Sequence, residues 1–225
     1  MKHHSALTLG VLAFALLAMA APQDAKEETP RFGPIVKLFN GENLDGWTAF
    51  FTDGSTDPAQ AFFVEDGILK CKGRPIGYLK TKRKYASYEL IVEWRFDPEK
   101  GAGNSGVLMR MIGEDNVWPN SIEAQLHSRN AGDIWNIGEF EMTTDAKRTQ
   151  GRRTVKAADT NEKPLGEWNR YRILMDGTDL TLEVNGLVQN VATDCKVVSG
   201  PICLQSEGAW IEFRKVELRE VIAEE

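Results

Sequence analysis

The segment SIEAQLHSRNAGDIW spaces an acid, an amide and an imidazole two residues apart: Glu123, Gln125 and His127. Side chains two apart on a β-strand share one face, roughly 6.5–7 Å from one to the next. Ile122, Ala124 and Leu126 would then point the other way. A carboxyl, a carboxamide and an imidazole on one surface can move protons and hold hydroxyl groups. A solvated outer face presents the same alternation, so the pattern alone does not make a site. Three features favour one. His127 is the one histidine beyond the extreme N-terminal stretch. Trp118 and Trp135 flank the segment. Asn104, Ser105 and Arg110 lie on a neighbouring candidate strand from which they could reach the same face. The triplet could also hold a divalent ion, although no metal motif of recognised spacing occurs.

The six tryptophans divide by their surroundings. Trp94 sits on an apolar strand face and Trp47 follows Leu44-Asp45-Gly46; both read as packing anchors. Trp118 and Trp135 sit among polar, loop-like residues. They can stack on a sugar ring while nearby amides and acids take its hydroxyls, or they can pack as core or lid. Glu93 and Arg95 read as cross-strand partners. The basic run KTKRK, Lys80 to Lys84, reads as a solvated loop face, with phosphate or polyanion binding as the sharper alternative.

GAGNSG, Gly101 to Gly106, matches the spacing of a dinucleotide-binding loop, and Glu123 even lies near the position of the ribose acid. That chemistry needs a helix after the loop. The chain instead continues as GVLMRMI, alternating Val107, Met109 and Met111 with Leu108 and Arg110, then Gly113 and Pro119. The match is accidental. The stretch reads as a tight connection between two strands, with Asn104 and Ser105 exposed at its end. Nucleophile elbows, catalytic Cys–His patterns and P-loops do not occur in the sequence.

The elements that must position these residues are strands. YELIVEWRF, YRILM and LTLEV alternate with period two. Asp66-Gly67, Asp176-Gly177 and Asn185-Gly186 separate such runs and supply the positive φ angles that tight hairpins need. In the last run, WIEFRKVELREV, Ile211 and Phe213 are out of phase with Val216 and Leu218. A β-bulge near Arg214-Lys215 accounts for the switch. Asp145 to Ala158 is polar and reads as a loop or a short helix. The sum is one all-β domain, a sandwich or barrel.

Ala6 to Met19 is apolar but for one Thr, follows a short basic start and ends in Ala18-Met19-Ala20. This predicts a secretory signal peptide over residues 1–20, too short for a mature bilayer span. Residues 21–34 read as a polar leader, and 35–221 as the domain. The chain is expected to be exported, periplasmic or extracellular, without a membrane span. The formal net charge of −6 argues against a general nucleic-acid binder. Three cysteines leave at least one unpaired; Cys195 and Cys203 are close enough in sequence to pair, buried free thiols being the alternative.

FNGENLDGW, residues 39–47, resembles the opening of the 3-keto-disaccharide hydrolase domain family. YELIVEWRF, GNSGVLMR, IEAQLHSRNAGDIW, EWNRYRI, VNG and GPICLQSEGAWIEFRKVEL resemble its later strands in order. The resemblance covers residues 35–221. It implies a concanavalin A-like jelly roll of two antiparallel sheets with a concave, carbohydrate-facing surface. It also implies cleavage of glycosides already oxidised to a ketone at C3. An ordinary glycosidase needs two carboxyls, and the strand partner of Glu123 at i+2 is Gln125. A 3-keto sugar acidifies its C2 proton, so one base can start an elimination that water then reverses. In that chemistry Glu123 is the base, or the ligand of a metal that activates it. Gln125, Asn104 and Arg110 would orient substrate or stabilise the enolate, and His127 or Asp133 would be the acid. The competing reading is a non-catalytic carbohydrate-binding module, since one fold hosts both. A purely structural surface protein is a third.

Overall fold

The structure, a computed structural model, describes residues 30–222. The signal-peptide segment and most of the leader lie outside the described residues. The strands run β1 (Arg31–Phe32), β2 (Val36–Lys37), β3 (Trp47–Phe51), β4 (Phe62–Glu65), β5 (Ile68–Cys71) and β6 (Gly77–Thr81). Then come β7 (Tyr88–Phe96), β8 (Gly106–Met109), β9 (Ser121–Gln125), β10 (Ile134–Ile137), β11 (Thr149–Gln150) and β12 (Arg153–Thr154). The last five are β13 (Asn169–Asp176), β14 (Asp179–Val184), β15 (Leu187–Ala192), β16 (Cys203–Ser206) and β17 (Ile211–Ile222).

Two antiparallel sheets result. One is ordered β15-β14-β13-β7-β17-β5-β4, with β1 and β2 added along β17. The other is ordered β11-β12-β10-β9-β8-β16-β6-β3. This is the two-sheet jelly roll, all-β as the period-two runs require. Alternation sends Leu90, Val92 and Trp94 of β7 and Tyr171 and Ile173 of β13 inward from the first sheet. Val107 and Met109 of β8, Ile122 and Ala124 of β9 and Leu204 of β16 meet them from the second. Each large side chain so buried stabilises the fold by about 1.5–3 kcal/mol. Trp94, fully buried, is the largest of them.

The turns form where the dipeptides place them. Asp66-Gly67 (φ 51° and 74°) and Asn185-Gly186 (φ 48° and 85°) close two-residue hairpins in the left-handed region. The third hairpin is shifted by one. Asp176 still pairs with Asp179, so Gly177-Thr178 makes the turn. The β17 register shifts between Phe213 and Lys215, which turns the strand's second half over as its phase requires.

Three segments differ from the sequence reading. Residues 97–105 are not a tight hairpin. They carry the chain from β7 in one sheet to β8 in the other, and Ser105 is fully buried rather than exposed. Asp145 to Ala158 contains the small hairpin β11–β12, with Gly151 (φ 57°) and Arg152 at its tip. Cys71, Cys195 and Cys203 are all free, buried thiols, which decides the pairing question.

Candidate active site

The outer face of the second sheet is where the chemistry gathers. In β9, Ile122 and Ala124 go to the core, so Ser121, Glu123 and Gln125 face out. Trp135 of β10 lies directly opposite Glu123 on one side and Leu108 of β8 on the other. Gly106 lies opposite Gln125. A Cβ at Gly106 would meet Gln205 Oε1 at 2.1 Å and Glu123 Oε1 at 2.4 Å. The glycine is therefore the floor over which these two side chains converge, one from β9 and one from β16. Beyond β16, Glu207 accepts a hydrogen bond from Asn104 Nδ2 at 2.7 Å. From the opposite side the β11–β12 tip brings the Arg152 guanidinium over Trp135 (5.2 Å to the ring centroid) and Trp118 (5.7 Å). Tyr78, Leu108, Met111, Ile137 and Cys203 form a second apolar cluster on this face, with Phe50 and Trp135 packed against it.

The electrostatics are unusual for a surface. Glu123 is 4% exposed. Burial, then the charge of Glu207, pushes its pKa up to about 8, and Arg152 only partly offsets this. Burial also pushes Glu207 up to about 7, again against Arg152. Both carboxyls thus change protonation near neutral pH, which is where proton transfer is most efficient. Asn104 Oδ1, Gln205 Oε1 and Trp135 Nε1 are buried without a hydrogen-bond partner among the described residues. Buried polar groups are normally paired, and these three, unlike the unpartnered Tyr88, Trp94 and Tyr171 atoms of the core, lie at or beside an open cleft where a polar ligand could meet them. A cleft of about 220 Å³ opens beside them, lined by Asn104, Gln125, His127, Asn130, Asp133, Trp135 and Arg153.

The residues singled out by sequence fare differently. Glu123, Gln125, Asn104 and Trp135 are brought together, with Trp118, 39% exposed, at the edge beyond Arg152. His127 lies past the end of β9, exposed at the cleft rim, its Nδ1 2.9 Å from Asn130 Nδ2. The strand alternation breaks because Gln125 Oε1 accepts the N–H groups of both Leu126 (2.8 Å) and His127 (2.7 Å). Asp133 touches the cleft, but its carboxylate is buried and taken by Arg153 Nε (2.8 Å) and the Lys156 N–H (2.9 Å). Ser105 Oγ donates to the Gln205 carbonyl (2.9 Å) and so pins the crossover to β16. Arg110 does not join the face. It follows β8 with φ 49°, which swings its side chain inward. There the guanidinium donates to the carbonyls of Ala86, Lys196, Cys195 and Gly177, leaving nothing for a substrate.

Glu207, Gln205 and Arg152 are the members that sequence reasoning missed. LQSE repeats the EAQ pattern in reverse, an amide and an acid two apart, and this was the available signal. The oxygen atoms of Glu123, Glu207 and Gln205 are those a hard cation would use. Among the described residues no group of three or more His, Cys, Asp or Glu is arranged to hold a metal. The KTKRK run borders a separate groove of about 740 Å³. Its Lys80 pairs with Asp115, which also accepts from the Tyr78 hydroxyl (2.8 Å), and its Arg83 pairs with Glu220.

The fold is a two-sheet jelly roll with two raised carboxyls, Glu123 and Glu207, at one open sheet face. The chain belongs to the family described as the 3-keto-alpha-glucoside-1,2-lyase-like domain, whose model matches residues 34–219. It is 25% identical over 174 residues to a 3-keto-disaccharide hydrolase of Bacteroides thetaiotaomicron, covering 69% of this chain and 57% of that relative, so it spans less than two thirds of the relative's length. A provisionally assigned glycosyl hydrolase of Parabacteroides distasonis has the same fold (TM-score 0.62, 21% identity, 84% of this chain and 94% of that one). So does a β-glucanase of Bacillus licheniformis (TM-score 0.57, 11% identity, 88% and 100%).

Proposed function

We propose that this chain cleaves glycosides already oxidised to a ketone at C3, by elimination and rehydration at C1–C2, with Glu123 and Glu207 as the proton-transfer pair. Family membership makes it a glycoside hydrolase-like, carbohydrate-acting protein. The observation that carries the finer reading is that both carboxyls are raised, to about 8 and about 7. A retaining glycosidase keeps one carboxyl ionised as nucleophile while raising only the other. Two raised carboxyls suit a pair of proton transfers, and the family's description, a 3-keto-alpha-glucoside-1,2-lyase-like domain, supports an elimination as the reaction that uses them.

In this reading the active form has Glu123 ionised and Glu207 protonated, one of the states the two groups exchange between near neutral pH, and the Glu123 carboxylate takes the C2 proton. The C2–H electrons form the C1–C2 double bond, the C1–O bond breaks, and the Glu207 carboxyl gives its proton to the leaving oxygen. Water then adds back: Glu207 takes a proton from it as its oxygen bonds to C1, and Glu123 returns a proton to C2. Both groups end as they began. Asn104 orients Glu207, and Gln125, Gln205 and Trp135 face the sugar. His127 at the rim is close enough to the cleft to assist, whereas Asp133 and Arg110 are spent on internal contacts. The chain acts after export, as Ala6 to Met19 suggests.

The test is turnover of a 3-keto-glucoside beside the unoxidised glucoside, with and without chelator. Cleavage of the keto form alone supports the proposal, and its loss with chelator adds a metal. Equal cleavage of both makes the protein an ordinary glycosidase. Binding of unoxidised glycans with no turnover makes it a binding module.

A further inference from the structure

We propose that Arg152 contacts the C3 oxygen of the oxidised sugar and carries the negative charge that develops there. This role rests on the 3-keto reading of the same site and gives the guanidinium a specific atom to meet.

Arg152 is placed as such a group should be. It sits at the tip of the β11–β12 hairpin, and its carbonyl accepts the Asn136 N–H at 2.7 Å, which fixes the tip against β10. Its guanidinium lies over two indole rings, Trp135 and Trp118. Cation–π contact with the rings holds the guanidinium near this face without using its N–H groups. Among the described residues those N–H groups meet no carboxylate and no carbonyl, although most cleft neighbours are partnered. Arg153, the next residue, is bound to Asp133, and Arg148 of the same segment to Asp145.

Its field nevertheless reaches the reacting groups. Arg152 lies over Trp135, which stands opposite Glu123 on the outer face of the sheet, and its charge counters the burial of both Glu123 and Glu207. Among the described residues neither carboxyl is hydrogen-bonded or ion-paired to the guanidinium, so its N–H groups are not taken up by the pair. Removing the C2 proton delocalises an electron pair onto the C3 oxygen. A preorganised donor aimed where charge develops is among the strongest catalytic devices available to a protein.

The experiment uses the full chain, Arg152→Met and Arg152→Lys. Met keeps the stem that covers the indoles; Lys keeps the charge without the planar fork. The first probe is kojic acid, a flat hydroxypyranone whose enol and ketone lie side by side as in the eliminated sugar, followed by ultraviolet absorbance of its anion. The second is kcat and KM on a 3-keto-glucoside, and the third is Tm. Arg152→Met is expected to weaken kojic acid binding about 10-fold or more and to lower kcat about 100-fold with a smaller change in KM. Arg152→Lys should recover part of both, and Tm should hold because the side chain is exposed. Unchanged kojic acid binding and kcat in Arg152→Met, in a wild type that turns over the keto substrate, overturns the assignment alone. A wild type with no keto turnover overturns the reading beneath it; kojic acid binding lost in Arg152→Met would then still support Arg152 as the anion contact. A wild type that does neither overturns both. Should Arg152→Met fail to fold, the Lys variant decides by the same two readouts.

Discussion

The outer faces of the two sheets are both rich in charge, but they treat it in opposite ways. On the nine-stranded sheet Glu89 accepts from Arg172 Nε (2.7 Å) and from Arg219, Glu93 pairs with Arg214, and Glu212 pairs with Arg95 at 2.7 Å. Burial alone would push Glu89 up; hydrogen bonds and charge from Arg219 and Arg172 outweigh it and hold the carboxyl below its ordinary range. On the eight-stranded sheet Glu123 is as deeply buried and receives no such partner, and its pKa goes the other way. A carboxyl kept out of water without a cation beside it is a burden on stability. One face pairs its buried carboxylates with arginines; the other leaves Glu123 without a cation partner.

This contrast can be broken most sharply at its extremes. Glu123→Gln should lower turnover of a 3-keto-glucoside about 10³-fold while leaving Tm unchanged or raised. Near-normal turnover would remove Glu123 from the chemistry. Next in size is the response of stability to pH. Glu123 titrates at 4.5 in the unfolded chain and at about 8 when folded. Below 4.5 both states are protonated and the folded state is not penalised. As pH rises from 4.5 to 8 the unfolded chain ionises first, so stability is lost across that window. Glu89, depressed when folded, does the reverse and loses stability as pH falls through its folded pKa. Denaturant melts from about pH 4 to 9 should therefore show a base-side decline, shared with Glu207, that Glu123→Gln reduces and Glu89→Gln leaves in place. Glu89→Gln itself should cost about 1–2 kcal/mol at neutral pH with kcat intact. A loss of activity there would undo the division between the faces. The smallest effect is expected at Trp118→Ala. One of the two rings under Arg152 is lost, so KM should rise about threefold while Tm holds, as steady-state kinetics would show.

Much of the fold was legible because strands declare themselves by local chemistry. The alternation of Tyr88 to Phe96, the Asp-Gly and Asn-Gly turns and the phase change at Arg214 each depend on neighbours in sequence. Glu123 and Gln125 were legible for the same reason. What failed was whatever depended on where a strand stops or what lies beside it. Arg110 continues the β8 alternation on paper, but a left-handed φ after Met109 turns it into the interior. His127 continues β9 on paper, but the Gln125 carboxamide ends the strand by capping the chain. Gln205 and Glu207 reach Glu123 only because β16 pairs with β8, across about a hundred residues of sequence. Arg152 reaches the site from a hairpin two residues per strand long, too short to show any period.

The three thiols carry a practical consequence. Each is buried, and burial pushes Cys71 and Cys195 up to about 11 and Cys203 higher still. Because thiolate is the reactive form, maleimide and iodoacetamide reagents should pass them by in the native state. A single cysteine introduced at the exposed hairpin tip could then carry a fluorophore or spin label on the wild-type background, without first stripping the natural cysteines. The protein comes ready for watching that tip when a candidate ligand is added.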